Sequence, residues 1–228
     1  MTTDRTLHWD GCRNVRDLGR LSGTDGHTTR WGALVRGDDP TRLTPKGWQA
    51  LLNHGVRTII SLRTRGKTEY NFDPALVPPD VTLLSESIED LADLNFKAQW
   101  VDTGLWCTPL YYRDALQRWP KAHANVVRHF ATAPKGGVLI HCGRGYDRTG
   151  IISLLFLSLA GVAPEDIVRD YALSVDPKRE QILTERQTST HALLMDVLQS
   201  FDAADYLTQA GLTPETLNKA RQRLFGPQ

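Results

Sequence analysis

The chain has 228 residues, which suits one large domain, and 40% of them are apolar, enough to bury a substantial core. Its 27 basic and 26 acidic residues give a net charge of +1, which argues against a general nucleic-acid binder. No apolar run reaches the ~18 residues that a bilayer-spanning helix needs, and the polar N-terminus lacks the apolar stretch of a secretion signal. The three cysteines show no zinc-binding pattern, so we expect a reduced cytoplasmic protein without metal or cofactor.

Short apolar runs alternate with longer amphipathic ones along the chain, a pattern typical of α/β folds. Thr44 and Pro45 indicate the start of a helix, and Gly55 its end. Three short runs are predicted strands: 56–62, 81–84 and 137–141. We therefore expect a single domain over residues 1–228, with a central, mostly parallel sheet flanked by helices.

The second half of the chain is predicted to be mainly helical. One helix should begin near Arg148 and end at Gly161. The other predicted helices are 110–130 with a break at Pro120, 164–174, and within a C-terminal helical region, 178–226, the segments 190–201, 203–210 and 214–224. The segment 85–106 is irregular and acidic, which is typical of a functional loop, and we expect a lid within residues 85–120.

Residues 138–150 read VLIHCGRGYDRTG and predict a strand, a glycine-rich turn and the start of a helix. Such a turn directs several N–H groups and the positive end of a helix dipole at one point, which favours anion binding. Gly143 and Gly145 allow the tight backbone that this needs. Cys142 would be the nucleophile, since the same N–H groups favour its thiolate, and Arg148 would grip two phosphate oxygens with its planar guanidinium. Attack on phosphorus would give a cysteinyl-phosphate intermediate.

The reaction also needs an acid that protonates the leaving oxygen. Asp147, inside the loop and next to Arg148, is the first candidate, although it could instead cap the following helix. Asp90 and Asp93, in the irregular segment, are the alternatives. Four loop residues are assigned to substrate binding: Gly143, Arg144, Gly145 and Tyr146. Arg144 could either attract a second anionic group of the substrate or be an ordinary solvent-exposed arginine.

Three parts of the sequence resemble one known family. Residues 141–150 are similar to the signature loop of protein tyrosine phosphatases, and most similar to that of atypical bacterial tyrosine and lipid phosphatases, HCxxGKDRTG. Residues 14–19 (NVRDLG) resemble their NFRDLGG motif, and residues 55–63 resemble their GVRTVIDLR run. Tyr146 departs from the family lysine, and the order aromatic-Asp-Arg-Thr is similar to that of myotubularin lipid phosphatases. The resemblance implies a phosphotyrosine-phosphatase-like fold.

Further residues are expected to support this loop. Asp17, in the N-terminal motif, could orient Arg148 or serve only as a local cap. His141 and Thr149 flank the nucleophile and the arginine and should stabilise the loop, His141 by hydrogen bonding. Weaker candidates for support are Arg36 and Arg63. Cys12 and Cys107 could form a disulfide with Cys142, which we do not expect.

The sequence thus predicts a cysteine-dependent phosphomonoester hydrolase, most specifically a protein-tyrosine phosphatase with dual specificity as an option. Two alternatives stay open: a phosphoinositide phosphatase, and a non-catalytic phosphate-binding module. The expected partner is a phosphorylated protein or a phosphoinositide. Four aromatic residues could form the walls of a phosphotyrosine cleft: Trp100, Trp106, Tyr111 and Tyr112.

Overall fold

The computed structural model describes residues 4–63 and 77–225, which form helices around one five-stranded sheet. The strands are β1 Arg16–Asp17, β2 Leu34–Gly37, β3 Val56–Ser61, β4 Thr82–Ser85 and β5 Gly137–His141. Their order is β1-β2-β5-β3-β4, with β1 antiparallel to β2 and the other neighbours parallel. The predicted α/β domain with a mostly parallel sheet is confirmed.

Helices follow most of the predicted positions. They are α1 Pro45–Asn53, α2 Leu94–Phe96, α3 Tyr112–Arg118, α4 Pro120–Thr132, α5 Asp147–Leu159, α6 Pro164–Ala172, α7 Pro177–Glu185, α8 Thr190–Gln199, α9 Ala203–Gln209 and α10 Pro214–Phe225. The break between α3 and α4 falls at Trp119, because Pro120 lacks the N–H that would continue the first helix. None of the helices in the described ranges is long and apolar enough to cross a membrane.

The unit formed by β5 and α5 lies at the centre of the molecule. All of β5 is buried between β2 and β3, and α5 is apolar on nearly every side, as expected of a helix that is enclosed by other elements. The carboxyl ends of β2, β3 and β5 meet at one edge of the sheet because these strands are parallel. This edge, where α/β proteins bind ligands, carries the loop that joins β5 to α5.

Candidate active site

Asn14 fixes the loop between β5 and α5 (residues 142–146) from its outer side. Its side-chain Nδ2 donates hydrogen bonds to the carbonyl oxygens of Arg144 at 3.0 Å and Gly145 at 3.2 Å. The backbone N–H of Asn14 is in turn held by Asp38 Oδ1 at 3.2 Å. The N-terminal NVRDLG segment therefore stabilises the loop across most of the length of the sequence.

Arg36, at the end of β2, provides a second support. Its Nη2 donates to the carbonyl oxygen of Gly145 at 2.9 Å, and its Nη1 to Asp170 Oδ2 at 3.0 Å. Asp170 also accepts from Arg16 Nε at 3.2 Å. Burial raises the pKa of Asp170, but the Arg16 and Arg36 guanidinium groups outweigh it and hold that pKa well below its usual range. The buried carboxylate is thus charged at neutral pH and keeps Arg36 in position.

These hydrogen bonds determine which way the loop peptides face. The carbonyl of Gly143 accepts from Asp39 N at 3.2 Å, and that of Cys142 from His141 Nδ1 at 3.1 Å. The carbonyl and N–H of a planar trans peptide point in opposite directions, so the N–H groups of residues 143–147 face the inside of the turn. Within the described ranges none of these five N–H groups donates a hydrogen bond to the protein. A concave set of N–H groups of this kind is an anion-binding nest.

Only one of the two predicted loop glycines is sterically required. Gly145 has φ +71°, and a Cβ there would lie 2.6 Å from the carbonyl oxygen of Gly37. A Cβ on Gly143 would meet no atom within 4 Å. The close approach of the loop to the end of β2 therefore depends on Gly145.

A cavity of about 210 Å³ opens above the loop. Its lining residues are Arg63, Trp106, Cys107, Tyr111, Cys142, Gly143, Arg144, Tyr146, Asp147 and Arg148. Cys142 is only 4% exposed and lies at the floor of this cavity. Of the four aromatic residues that could wall a cleft, Trp106 lines this cavity, while Tyr111 borders it as a fully buried core residue. Trp100 instead donates to Asp114 at 2.7 Å, and the Tyr112 hydroxyl reaches Asp147.

Arg148 lies against Trp106, which is held in turn by a buried carboxyl, Glu89. Its guanidinium carbon is 5.2 Å from the centroid of the Trp106 ring, a cation–π contact. The indole N–H of Trp106 donates to Glu89 Oε2 at 2.9 Å, and the Tyr111 hydroxyl to Glu89 Oε1 at 2.7 Å. Burial raises the pKa of Glu89, while the nearby charge of Arg148 lowers it. No motif marks this buried carboxyl, which stands in the irregular segment next to Asp90.

Asp147 is the first residue of α5 and is buried. The hydroxyls of Tyr112 and Tyr171 each donate to its Oδ1 at 3.3 Å. Burial raises the pKa of Asp147, and the charges of Arg179 and Arg144 offset this only in part. A carboxyl with a raised pKa, facing the cavity above Cys142, has the properties of a proton donor.

Known proteins of one family are similar to this chain in sequence. The tyrosine phosphatase family matches residues 7–226 of the chain. This chain belongs to the tyrosine phosphatase family. A Cupriavidus necator protein assigned by name to the tyrosine-protein phosphatases is 30% identical over 170 residues, covering 72% of this chain and 61% of the relative. A tyrosine-protein phosphatase of Nostoc commune is 34% identical over 146 residues, 62% of this chain and 48% of that protein.

The chain therefore spans only about half to three-fifths of the length of these curated relatives. Among solved structures, P. aeruginosa TpbA in complex with phosphotyrosine matches with a TM-score of 0.49 and 16% identity. That match covers 92% of this tyrosine phosphatase chain and all of TpbA.

The two alternative acids lie outside the cavity lining. Asp90 is exposed and accepts a hydrogen bond from Ala92 N at 2.9 Å. Asp93 caps α2 by accepting from Phe96 N at 3.0 Å and pairs with Arg118 at 2.9 Å. The backbone hydrogen bond from Phe96 is the main reason why the pKa of Asp93 is lowered, the opposite of what an acid catalyst needs. Neither residue is among those that line the cavity above Cys142, and which carboxyl is the acid stays a prediction.

Asp17 does not orient Arg148, which was one of its two predicted roles. Its Oδ1 accepts from Gly19 N at 2.6 Å, while its Oδ2 accepts from Gly32 N at 2.8 Å and lies 2.6 Å from His54 Nε2. Consecutive strand residues point to opposite faces, so Arg16 reaches Asp170 beneath the loop and Asp17 turns away. Asp17 serves the local turn instead.

The residues that flank the nucleophile are deeply buried. His141 is fully buried, and its Nδ1 lies 3.1 Å from the carbonyl oxygen of Cys142, in line with the predicted stabilising hydrogen bond. Burial lowers the pKa of His141 to about 4, so the ring is neutral at pH 7. Thr149 is also fully buried in α5, and its carbonyl accepts from Ser153 Oγ at 2.7 Å.

Arginines at the rim connect the cavity to neighbouring segments. Arg63 pairs with Asp39 at 2.6 Å, and Arg144 pairs with Asp176 at 2.8 Å. The Arg144 guanidinium carbon is also 5.1 Å from the Tyr146 ring centroid. Residues 85–120 supply Trp106 and Tyr111 to the wall; that they move as a lid stays a prediction.

Proposed function

We propose that this chain is a cysteine-dependent phosphomonoester hydrolase that acts on phosphotyrosine in proteins. The observation that carries the proposal is the nest of N–H groups at residues 143–147, which surrounds the floor of the cavity where Cys142 lies. A phosphoryl group bound in that nest has its phosphorus above the sulfur and its oxygens within reach of the N–H groups. Membership of the tyrosine phosphatase family supports the same function.

In the first step the Cys142 thiolate attacks phosphorus and forms a sulfur–phosphorus bond. The bond from phosphorus to the leaving oxygen breaks, and that oxygen takes its proton from the Asp147 carboxyl. Arg148 and the loop N–H groups stabilise the non-bridging oxygens, which carry the charge of the transition state. The product of this step is a cysteinyl phosphate with the free alcohol.

In the second step water attacks the cysteinyl phosphate. Asp147, now a carboxylate, accepts a proton from the water, and the sulfur–phosphorus bond breaks. Inorganic phosphate leaves, and Cys142 returns as a thiolate beneath Arg148. One short loop thus supplies the nucleophile, the phosphate clamp and the acid.

The depth of the cavity favours an aryl phosphate. Because Cys142 is 4% exposed and the half-buried Trp106 lines the approach, a phosphate must project well beyond its backbone to reach the sulfur. Phosphotyrosine does so, and its ring can pack against the Trp106 indole. Phosphoserine is much shorter, which argues against broad dual specificity.

A panel of matched substrates tests this function. Wild-type protein should hydrolyse a phosphotyrosine peptide with a kcat/KM at least roughly 100-fold above that of the same peptide with phosphoserine, or of a soluble phosphoinositide headgroup. A preference for the headgroup would favour the phosphoinositide phosphatase. Tight phosphopeptide binding without turnover would favour the non-catalytic module.

We expect Asp147→Asn to lower kcat/KM by about 10²–10⁴-fold on a phosphotyrosine peptide, but far less on p-nitrophenyl phosphate, whose leaving group needs little protonation. Asp147 acts when protonated, so the wild-type value should fall as pH rises through its raised pKa. This fall should be absent in the variant. Asp90→Asn is the matched control and should keep the wild-type profile; an Asp147→Asn variant with full peptide activity would contradict the acid assignment.

We expect Asn14→Ala to lower the free energy of unfolding by about 1–2 kcal/mol, because it removes two hydrogen bonds to loop carbonyls. The loop should also hold phosphate less well, so KM for p-nitrophenyl phosphate should rise severalfold. Urea denaturation and steady-state kinetics measure the two effects. Asn53→Ala, on the exposed side of α1, should change neither; equal behaviour of the two variants would contradict the role of Asn14.

A further inference from the structure

A second cavity of about 200 Å³ adjoins the one above Cys142. Both are lined by Trp106, Cys107 and Arg144, so the two spaces share a wall. The far side of the second cavity is formed by Asp176 and the first turns of α7. A ligand held at Cys142 therefore has a second space immediately beside it.

This second cavity is positively charged. Arg144, Lys178 and Arg179 line it, against the single carboxylate of Asp176. That carboxylate is already engaged, since its Oδ1 caps α7 by accepting from the N–H groups of Lys178 at 3.1 Å and Arg179 at 3.3 Å, and its Oδ2 pairs with Arg144. From just outside the lining, Glu180 pairs with Arg179 at 3.0 Å, so the three cations exceed the neighbouring carboxylates by one positive charge.

The three cations differ in what they can offer to a ligand. Arg179 is buried, donates to the Ser174 carbonyl at 2.7 Å and pairs with Glu180 at 3.0 Å, so its donors and its charge are already engaged. Arg144 uses Nη1 for Asp176, and its guanidinium carries further donors. Lys178 is exposed, and within the described ranges its ammonium makes no ion pair or hydrogen bond. Lys178 and Arg144 are therefore the groups available to a second anion.

We infer that the second cavity binds a second phosphate group of the substrate, on a residue close to the phosphotyrosine that is hydrolysed. This inference rests on the proposed function. A phosphate monoester carries a charge of about −1.5 to −2 at pH 7 and three strong acceptor oxygens, so it can engage the Lys178 ammonium and the remaining Arg144 donors together, which a single carboxylate does less well. Since the Trp106 indole above Cys142 suits an aryl phosphate, the substrate class is a doubly phosphorylated peptide.

Two matched peptides test the subsite, one with a single phosphotyrosine and one with a second phosphotyrosine next to it. Lys178→Ala should lower kcat/KM for the doubly phosphorylated peptide by roughly tenfold, the size of one charge-assisted hydrogen bond. It should leave the singly phosphorylated peptide and p-nitrophenyl phosphate unchanged. Lys178→Arg should restore the preference. The control is Lys135→Ala, an exposed lysine at the opposite, amino end of β5, and it should have no effect.

Binding separates this inference from the proposed function. Calorimetry with Cys142→Ser protein should give tighter binding of the doubly phosphorylated peptide, and Lys178→Ala in that background should remove the difference. Turnover of p-nitrophenyl phosphate by the wild type tests the hydrolase itself. If the hydrolase is active but both peptides bind alike, or if Lys178→Ala weakens both equally, the subsite is refuted. A Lys178-dependent preference for inositol 4,5-bisphosphate over the doubly phosphorylated peptide would also overturn it.

Discussion

Cys142→Ser protein should hydrolyse p-nitrophenyl phosphate on the order of 10⁵-fold more slowly than the wild type, or not measurably. Serine fills almost the same space, so the fold and the anion nest should persist. Its hydroxyl, however, is a far weaker nucleophile than a cysteine sulfur. Steady-state kinetics measures the loss, and calorimetry with a phosphotyrosine peptide should show that binding is retained.

The other two cysteines provide the matched controls. Cys12 lies outside the cavity, with its thiol 3.7 Å from the Asp39 carbonyl, and burial raises its pKa. Cys107 lines the cavity, but burial and the charge of Asp147 raise its pKa to about 11, so it is a neutral thiol at pH 7. Cys12→Ser should behave as wild type and Cys107→Ser should lose at most severalfold. If the Cys107→Ser variant were inactive and the Cys142→Ser variant active, Cys107 and not Cys142 would be the nucleophile.

Arg148→Lys should lower kcat for p-nitrophenyl phosphate by about 10²–10³-fold, the effect of losing one well-placed donor to the transition state. Lysine keeps the positive charge but lacks the planar guanidinium that binds two oxygens at once and stacks on an aromatic ring. The contact with Trp106 should therefore be lost as well. A phosphate titration of tryptophan fluorescence should show a smaller change in the variant.

Arg63→Lys is the control for charge and position, because Arg63 lines the same cavity but extends from the end of β3 to Asp39. We expect less than a tenfold loss of kcat in this variant. If Arg63→Lys were the more damaging substitution, the phosphate clamp would have been assigned to the wrong arginine.

Local sequence signals were sufficient to predict the centre of the site. The apolar run that forms β5, the glycines after it and the apolar run of α5 act within about twenty residues of chain, so the strand, turn and helix follow from neighbouring residues. Cys142, Arg148 and Asp147 line one cavity, and their catalytic roles stay a prediction. The very short β1 carries too little pattern to be identified as a strand from sequence.

Contacts between distant parts of the chain could not be predicted from local sequence signals. Glu89 is buried only because Trp106 and Tyr111 fold back over it, and its own neighbours in sequence give no sign of this. Asn14 contacts loop carbonyls some 130 positions away, so its role appears only in three dimensions. Asp17 faces away from Arg148 because side chains alternate between the two faces of the two-residue strand β1, which the sequence did not reveal.

The central claim is that the Cys142 sulfur becomes phosphorylated. Asp147→Asn is the most informative protein for this test, because p-nitrophenyl phosphate can transfer its phosphoryl group without the acid, whereas hydrolysis of the intermediate lacks its base. Rapid acid quenching followed by peptide mass spectrometry should find a phosphoryl group on Cys142, with a burst of p-nitrophenol of equal amount. Release of p-nitrophenol over several turnovers, without a burst and with Cys142 unmodified at every time point, would contradict the account.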